Sequence, residues 1–223
     1  MSTVVRRRLA PAVLAAAVLT AAGCGSGSQN HDPETDGARP VDLSAAPAEV
    51  TWRPYQGVQV PYSAADGPTA DAYSAAPRGY TDTPQGAVLA AMQGQTRLAL
   101  APDGVWTTAA AALLAPGPGR DAYAVARAAA SIRTAADPAT TAAFTGFRVN
   151  AYGDGRAVVD LATTMPGGQV TAVAVTLTRR SGDWQIDLPS PEPDAGADDP
   201  TAPAPTDPVP LSSLDGFTAF SAP

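Results

Sequence analysis

All three tryptophans and all six tyrosines of this 223-residue chain lie between residues 50 and 188, so only that stretch holds enough large side chains to build a core. The apolar fraction of 45% is misleading, because 49 of the residues are alanine and each alanine removes little surface from water. Burial therefore rests on one compact domain with flanking tails. Residues 25–49 are rich in Gly, Ser, Pro and acids and read as a flexible tether, while 189–208 is a Pro/Asp/Ala tract that reads as a disordered linker. Within 50–188, ten acidic residues face ten arginines, so the formal charge of -7 is not a property of the domain. The chain has no lysine, and its only basic run is Arg6 to Arg8. A nucleic-acid partner is excluded as an expectation, because phosphate binding needs clustered cations.

The first 24 residues carry an address. Arg6, Arg7 and Arg8 form a basic start, Leu9 to Thr20 are mostly apolar, and Ala21, Ala22 and Gly23 precede the only cysteine, Cys24. The stretch is too short to span a bilayer, which takes about 20 continuous apolar residues, and Pro11 interrupts it. Ala-Ala-Gly-Cys followed by Gly25-Ser26-Gly27-Ser28 resembles the lipobox of bacterial lipoproteins. That resemblance implies removal of a signal peptide at 1–23, diacylglyceryl transfer to Cys24, and attachment to the extracytoplasmic face of the cell membrane. The consensus places a branched apolar residue where this chain has Ala21. Arg-Arg-Arg-Leu also resembles a twin-arginine export signal, which leaves the export route open.

Inside the domain, helices precede strands. Thr83-Pro84 is an N-cap followed by proline at the first helical position, and the apolar spacing predicts a helix over 85–100. Asp103 is placed to cap a second helix over 104–114, which Pro116-Gly117-Pro118-Gly119 ends, and a third is expected over 120–135. After Asp137-Pro138 the period changes to two. Alternation around Phe147, Val159, Val175 and Trp184, separated by the Gly153-Asp154-Gly155, Pro166-Gly167-Gly168 and Ser181-Gly182-Asp183 turns, predicts a four-stranded antiparallel meander. Three helices on one face of such a sheet make an α+β domain.

The order of helices and then meander, ending in Ser181-Gly182-Asp183-Trp184-Gln185-Ile186-Asp187, resembles the nuclear transport factor two-like, or cystatin-like, cone fold. A further set of pieces is similar to an uncharacterised exported family of high-GC Gram-positive bacteria. They are Trp52, Gly57, Val60-Pro61-Tyr62-Ser63, Gly67-Pro68, Gly79-Tyr80, Thr83 to Ala87, Phe147-Arg148-Val149, Gly182-Asp183-Trp184 and Ser213 to Phe217. The resemblance covers about 50–220 and extends distantly to extracytoplasmic domains of conjugation and type IV secretion assembly factors. It implies a curved sheet forming a cone and a binding or assembly role with a protein partner.

Chemistry is sparse. His31, the only histidine, sits in the tether, so the domain holds neither imidazole nor thiol for a nucleophilic triad or a histidine-based zinc site. No catalytic residue, metal or cofactor is expected. Asp160 and Asp187, with Arg148 and Tyr152 on the same sheet, form either a polar pocket floor or ordinary cross-strand pairs. Trp52, Trp106 and Trp184 fill the core or line a ligand cavity, the second being the route to a small apolar-ligand carrier or isomerase-like enzyme. Gly117-x-Gly119 and Gly153-x-Gly155 are turn signals without the strand-to-helix context of a phosphate loop. Asp32, Glu34 and Asp36 lack the glycine and terminal glutamate of a calcium loop. Finally, Leu211, Leu214, Phe217 and Phe220 recur every three residues after the linker, so residues 209–223 are expected to bury them, either by folding back on the domain or by docking in a partner's groove.

Overall fold

The computed structural model describes residues 41–191, 202–203 and 206–223. The expected signal peptide, Cys24 and the tether up to residue 40 lie outside the described residues, as do residues 192–201 and 204–205 of the linker. The described chain is α+β. An N-terminal hairpin of β1 (Val50–Tyr55) and β2 (Val58–Ser63) comes first. Three helices follow, α1 (Pro84–Leu100), α2 (Trp106–Leu113) and α3 (Pro118–Ala128). The larger sheet is built from β3 (Ala143–Gly153), β4 (Arg156–Thr164), β5 (Val170–Arg180) and β6 (Asp183–Ile186), with two short strands, β7 (Val209–Pro210) and β8 (Thr218–Ala219), from the C-terminus.

The sheet has six strands and not the expected four. Its order is β6-β5-β4-β3-β8, with β7 pairing β5, and every pairing is antiparallel. The two added strands escape sequence reading because each is two residues long, and Pro210 gives β7 no donor there. The β1–β2 hairpin is also additional. Its turn is Gln56-Gly57, with both residues at positive φ (48° and 87°), the geometry that matches the right-handed twist of two strands. Asp154-Gly155 closes the β3–β4 hairpin in the same way, at 50° and 69°.

Helix α1 organises the core. The Thr83 hydroxyl accepts the Gly86 N–H at 3.0 Å, and Pro84 occupies the first turn, where no intrahelical donor is missed. The helix packs against β2, against α2 and against β3 to β6. It is buried nearly all round, so it lacks a polar face, and its Ala and Gly content allows that close approach: a Cβ on Gly94 would lie 2.7 Å from Ile186 Cδ1. Val88, Leu89, Met92, Phe147, Val159, Leu161, Val175, Leu177, Trp184 and Ile186 fill the space between α1 and the sheet.

Two polar residues on α1 are wholly buried, Gln93 and Arg97. Gln93 Nε2 donates to the Pro61 carbonyl at 2.6 Å, and its amide oxygen accepts from Arg97. Arg97 also donates to the Ser74 carbonyl at 3.0 Å, the Tyr62 hydroxyl at 3.2 Å and the Ala72 carbonyl at 3.3 Å, and its guanidinium lies 4.5 Å from the Tyr55 ring centre. No carboxylate is among these partners. The charge is solvated by carbonyls, a phenol and a ring face, which fastens the hairpin and the 72–74 segment to α1.

Helices α2 and α3 are shorter than expected. Val105, not Asp103, stands at the N-cap of α2, and no side chain caps it. Asp103 is recruited elsewhere: its carboxylate accepts the Ile132 N–H at 2.8 Å, the Ser131 hydroxyl at 2.7 Å and Arg127 Nη2 at 3.1 Å. The first of these bonds, then the other two, hold its pKa down at about 2, below the ordinary 3.8. A carboxylate depressed by folding contributes stability that is complete above the unfolded value and lost as pH falls through the folded one. Between about pH 4 and 2, therefore, the Asp103→Asn protein should lose less melting temperature than the parent. An identical acid profile by circular dichroism would contradict this role.

The domain begins earlier than residue 50. Gln85 Nε2 donates to the carbonyls of Asp42 and Ala45, both at 3.0 Å, and Ser63 Oγ donates to the Ala48 carbonyl at 2.5 Å. Ala48 N–H donates to Asp66 at 3.0 Å, and Pro47 is buried. Residues 41–49, assigned from composition to the tether, are thus bonded to the domain, because main-chain groups fasten a segment whose side chains carry no apolar pattern.

Candidate functional site: two uncharged clefts beside a C-terminal strap

The four residues expected to share a polar patch do not converge. Arg148 on β3 and Asp160 on β4 are register partners and form an ion pair at 2.7 Å, with the guanidinium 4.6 Å from the Phe217 ring centre. Tyr152 lies beyond a register shift between Val149 and Ala151, and its hydroxyl donates to Asp82 Oδ1 at 3.0 Å. Burial, with Asp82 adding to it, pushes that phenol up to about 12. Asp187 follows β6; its N–H donates to the Thr176 carbonyl at 2.8 Å, and burial raises its carboxyl pKa against the pull of Arg156 and Arg180. Three separate bonding sets replace the single pocket floor.

The Gly182-Asp183-Trp184 sequence is an anchor. Asp183 accepts the N–H groups of Gly79 (2.6 Å), Trp184 (2.9 Å) and Tyr80 (3.3 Å), and Trp184 Nε1 donates to the Thr81 carbonyl at 2.9 Å. Together they hold the segment that leads into the Thr83 cap.

The C-terminal segment folds back as a strap. Strand β7 pairs with Thr171 and Ala172 of β5, and Leu211 N–H donates to the Val170 carbonyl at 2.9 Å. Strand β8 pairs with Gly146 and Phe147 of β3, and Phe220 N–H donates to the Thr145 carbonyl at 3.1 Å. Since β4 lies between β5 and β3, the segment crosses the sheet face that carries Arg148 and Asp160. Gly146 leaves room for it: a Cβ there would be 2.8 Å from the Thr218 carbonyl oxygen. Leu211, Leu214, Phe217 and Phe220 are all half-buried, and Phe220 sits 5.1 Å from Trp52 and 5.8 Å from Phe147 between ring centres.

Two clefts remain. One, of about 420 Å3, opens between the β1–β2 turn, the 138–145 segment and the C-terminal residues Ser221 and Ala222, with Trp52 and Phe144 in its wall. The other, of about 240 Å3, lies at the C-terminal end of α1 between Ala99, Leu100, Phe144, Leu161 and Val173. Among the described residues, no side chain lining either cleft is ionisable. The surroundings supply hydroxyls, amides and apolar surface, which recognise by shape and neutral hydrogen bonds and offer no group to shuttle a proton near neutral pH. Among the described residues, no group of three or more His, Cys, Asp or Glu is placed to hold a metal ion, and no helix is long and apolar enough to cross a membrane.

The sequence pointed to Trp184 as a core residue or cavity wall, and it is core, 4% exposed. Trp52 and Trp106 are half-buried. The lining of the larger cleft was not legible beyond Trp52, because Gln59, Thr145, Thr164 and Ser221 come from four distant parts of the chain. An X-Gly pair between two alternating stretches, Gln56-Gly57, was the one local signal for its hairpin wall. No curated protein and no solved structure matches the chain. A family model described as a domain of unknown function matches residues 11–219, and the chain belongs to that family, DUF8175.

Proposed function

We propose that this chain is a lipoprotein anchored through Cys24 to the extracytoplasmic face of the cell membrane, and that its α+β domain, a nuclear transport factor two-like cone, binds a protein partner without catalysis. Its place is that of an accessory to conjugation or secretion machinery. The observation that supports the reading is that the space between α1 and the sheet is packed with side chains, while the two clefts that share Phe144 have no ionisable lining among the described residues. A filled interior serves rigidity, and an uncharged surface serves recognition.

Cys24→Ser tests the anchor. Two acyl chains hold a protein on a bilayer, and removing them removes most of its interfacial affinity. The variant should leave the membrane fraction and appear in the soluble extracytoplasmic fraction; quantitative retention would rule the anchor out. The 240 Å3 groove favours a second reading, a carrier of a small apolar molecule. Solvent extraction of the purified protein followed by mass spectrometry separates the two: a stoichiometric apolar compound supports the carrier, and an empty extract supports the partner-binding domain.

A further inference from the structure

The larger cleft combines features that neither a protein anchor nor an apolar carrier uses. Trp52 is half-buried, packs on Phe220 and lines the cleft. Around it stand Gln59 from β2, Thr145 from β3, Thr164 from β4 and Ser221 from the strap's end. Among the described residues, the side chains of these four make no hydrogen bond to the protein. An amide and three hydroxyls therefore line the same cleft as an indole, with their side-chain bonding capacity unspent on the protein.

This lining selects by exclusion. A charged ligand would be desolvated opposite no counter-charge, since none of the described lining side chains ionises. A purely apolar ligand would strip water from the hydroxyls and the amide without replacing its hydrogen bonds. A peptide added as a strand would need a run of free main-chain groups, and here β8 and the Phe220 N–H already occupy the neighbouring edge of β3. What fits is a neutral molecule with one C–H-rich face and a rim of hydroxyls. An indole face carries negative quadrupole density that attracts polarised C–H groups, and side-chain hydroxyls and amides both donate to and accept from sugar hydroxyls. We infer that the cleft bounded by Trp52, Gln59, Thr145, Thr164 and Ser221 is a binding site for a neutral saccharide. A volume of about 420 Å3 falls within the usual range for small-molecule sites and suits a short sugar segment. The inference is independent of the anchor, since the site would bind whether or not Cys24 is acylated.

The test uses the full-length protein in a polyoxyethylene detergent, which carries no sugar. Intrinsic tryptophan fluorescence is titrated with maltotetraose, with the N-acetylglucosamine tetramer and, as an anionic control, with tetragalacturonate. A saturable shift with at least one neutral tetramer, at a Kd of about 1 mM or tighter, is expected. The shift should vanish in Trp52→Phe, which leaves Trp106 and Trp184 as unresponsive reporters. A Gln59→Ala, Thr164→Val double variant, which removes two hydrogen-bonding groups without opening a core cavity, should bind about tenfold more weakly while melting at the parent temperature. The absence of saturation with both neutral sugars, equal response to tetragalacturonate, or full affinity in the double variant would overturn the assignment.

Discussion

Trp184→Ala should lower the stability of the domain by about 3–5 kcal/mol, the usual cost of truncating a buried aromatic residue. For a domain of this size that corresponds to a fall in melting temperature of about 10 °C. Two effects combine. The indole is 4% exposed and packs in the cluster with Ile186 and Leu177, so its loss leaves a cavity that rigid neighbours fill poorly. Its Nε1–H also satisfies the Thr81 carbonyl, and Arg179 lies 5.2 Å above its ring. Trp184→Phe separates the terms: it keeps most of the apolar volume and loses the hydrogen bond, so it should cost about 1–2 kcal/mol. A loss below about 1 kcal/mol for the alanine variant would contradict the packing described above.

Ending the chain at Pro208 should cost about as much, roughly 3–5 kcal/mol, because the strap contributes four half-buried large side chains and two pairings to the sheet. Its removal uncovers Phe147, which Phe220 meets edge-on at 85°, and frees the outer edge of β3 at Gly146 and Phe147. An exposed strand edge beside apolar surface is a template for pairing with other chains. The truncated protein is therefore expected to melt about 10 °C lower and to associate at high concentration, both visible by calorimetry with light scattering. An unchanged melt would mean that the strap is held by nothing the domain needs.

The elements differ in how much of them the sequence discloses. The Thr83-Pro84 start of α1 and the X-Gly turns are local: a hydroxyl three residues from the N–H it accepts, or a glycine at positive φ, needs no information from elsewhere. The third helix ends at Ala128 rather than near residue 135, because α3 offers few side chains to the core and its end is set by what it packs on. Arg97 reads in sequence as an ordinary surface residue of an alanine-rich helix. Only the meeting of β1–β2 and the 72–74 segment over α1 makes it a buried hub, since its hydrogen-bond partners are 4 to 35 positions away.

The candidate site divides in the same way. Periodicity alone was enough to require that Leu211, Leu214, Phe217 and Phe220 be buried somewhere, because three-residue spacing of large apolar groups has no use in a solvated acidic tail. Composition likewise placed all the tryptophans and tyrosines between residues 50 and 188, and that stretch holds neither imidazole nor thiol. Where the strap binds was a tertiary matter: it depends on Gly146 leaving space on β3, on Trp52 and Phe147 flanking Phe220, and on the edges of β3 and β5 accepting two short strands. The dispersal of Arg148, Tyr152, Asp160 and Asp187 was tertiary as well, because a register shift within β3 changes which partners its residues meet. Side-chain types are written in the chain, but a constellation exists only once backbone pairing sets distances, and pairing is decided by contacts far apart in sequence.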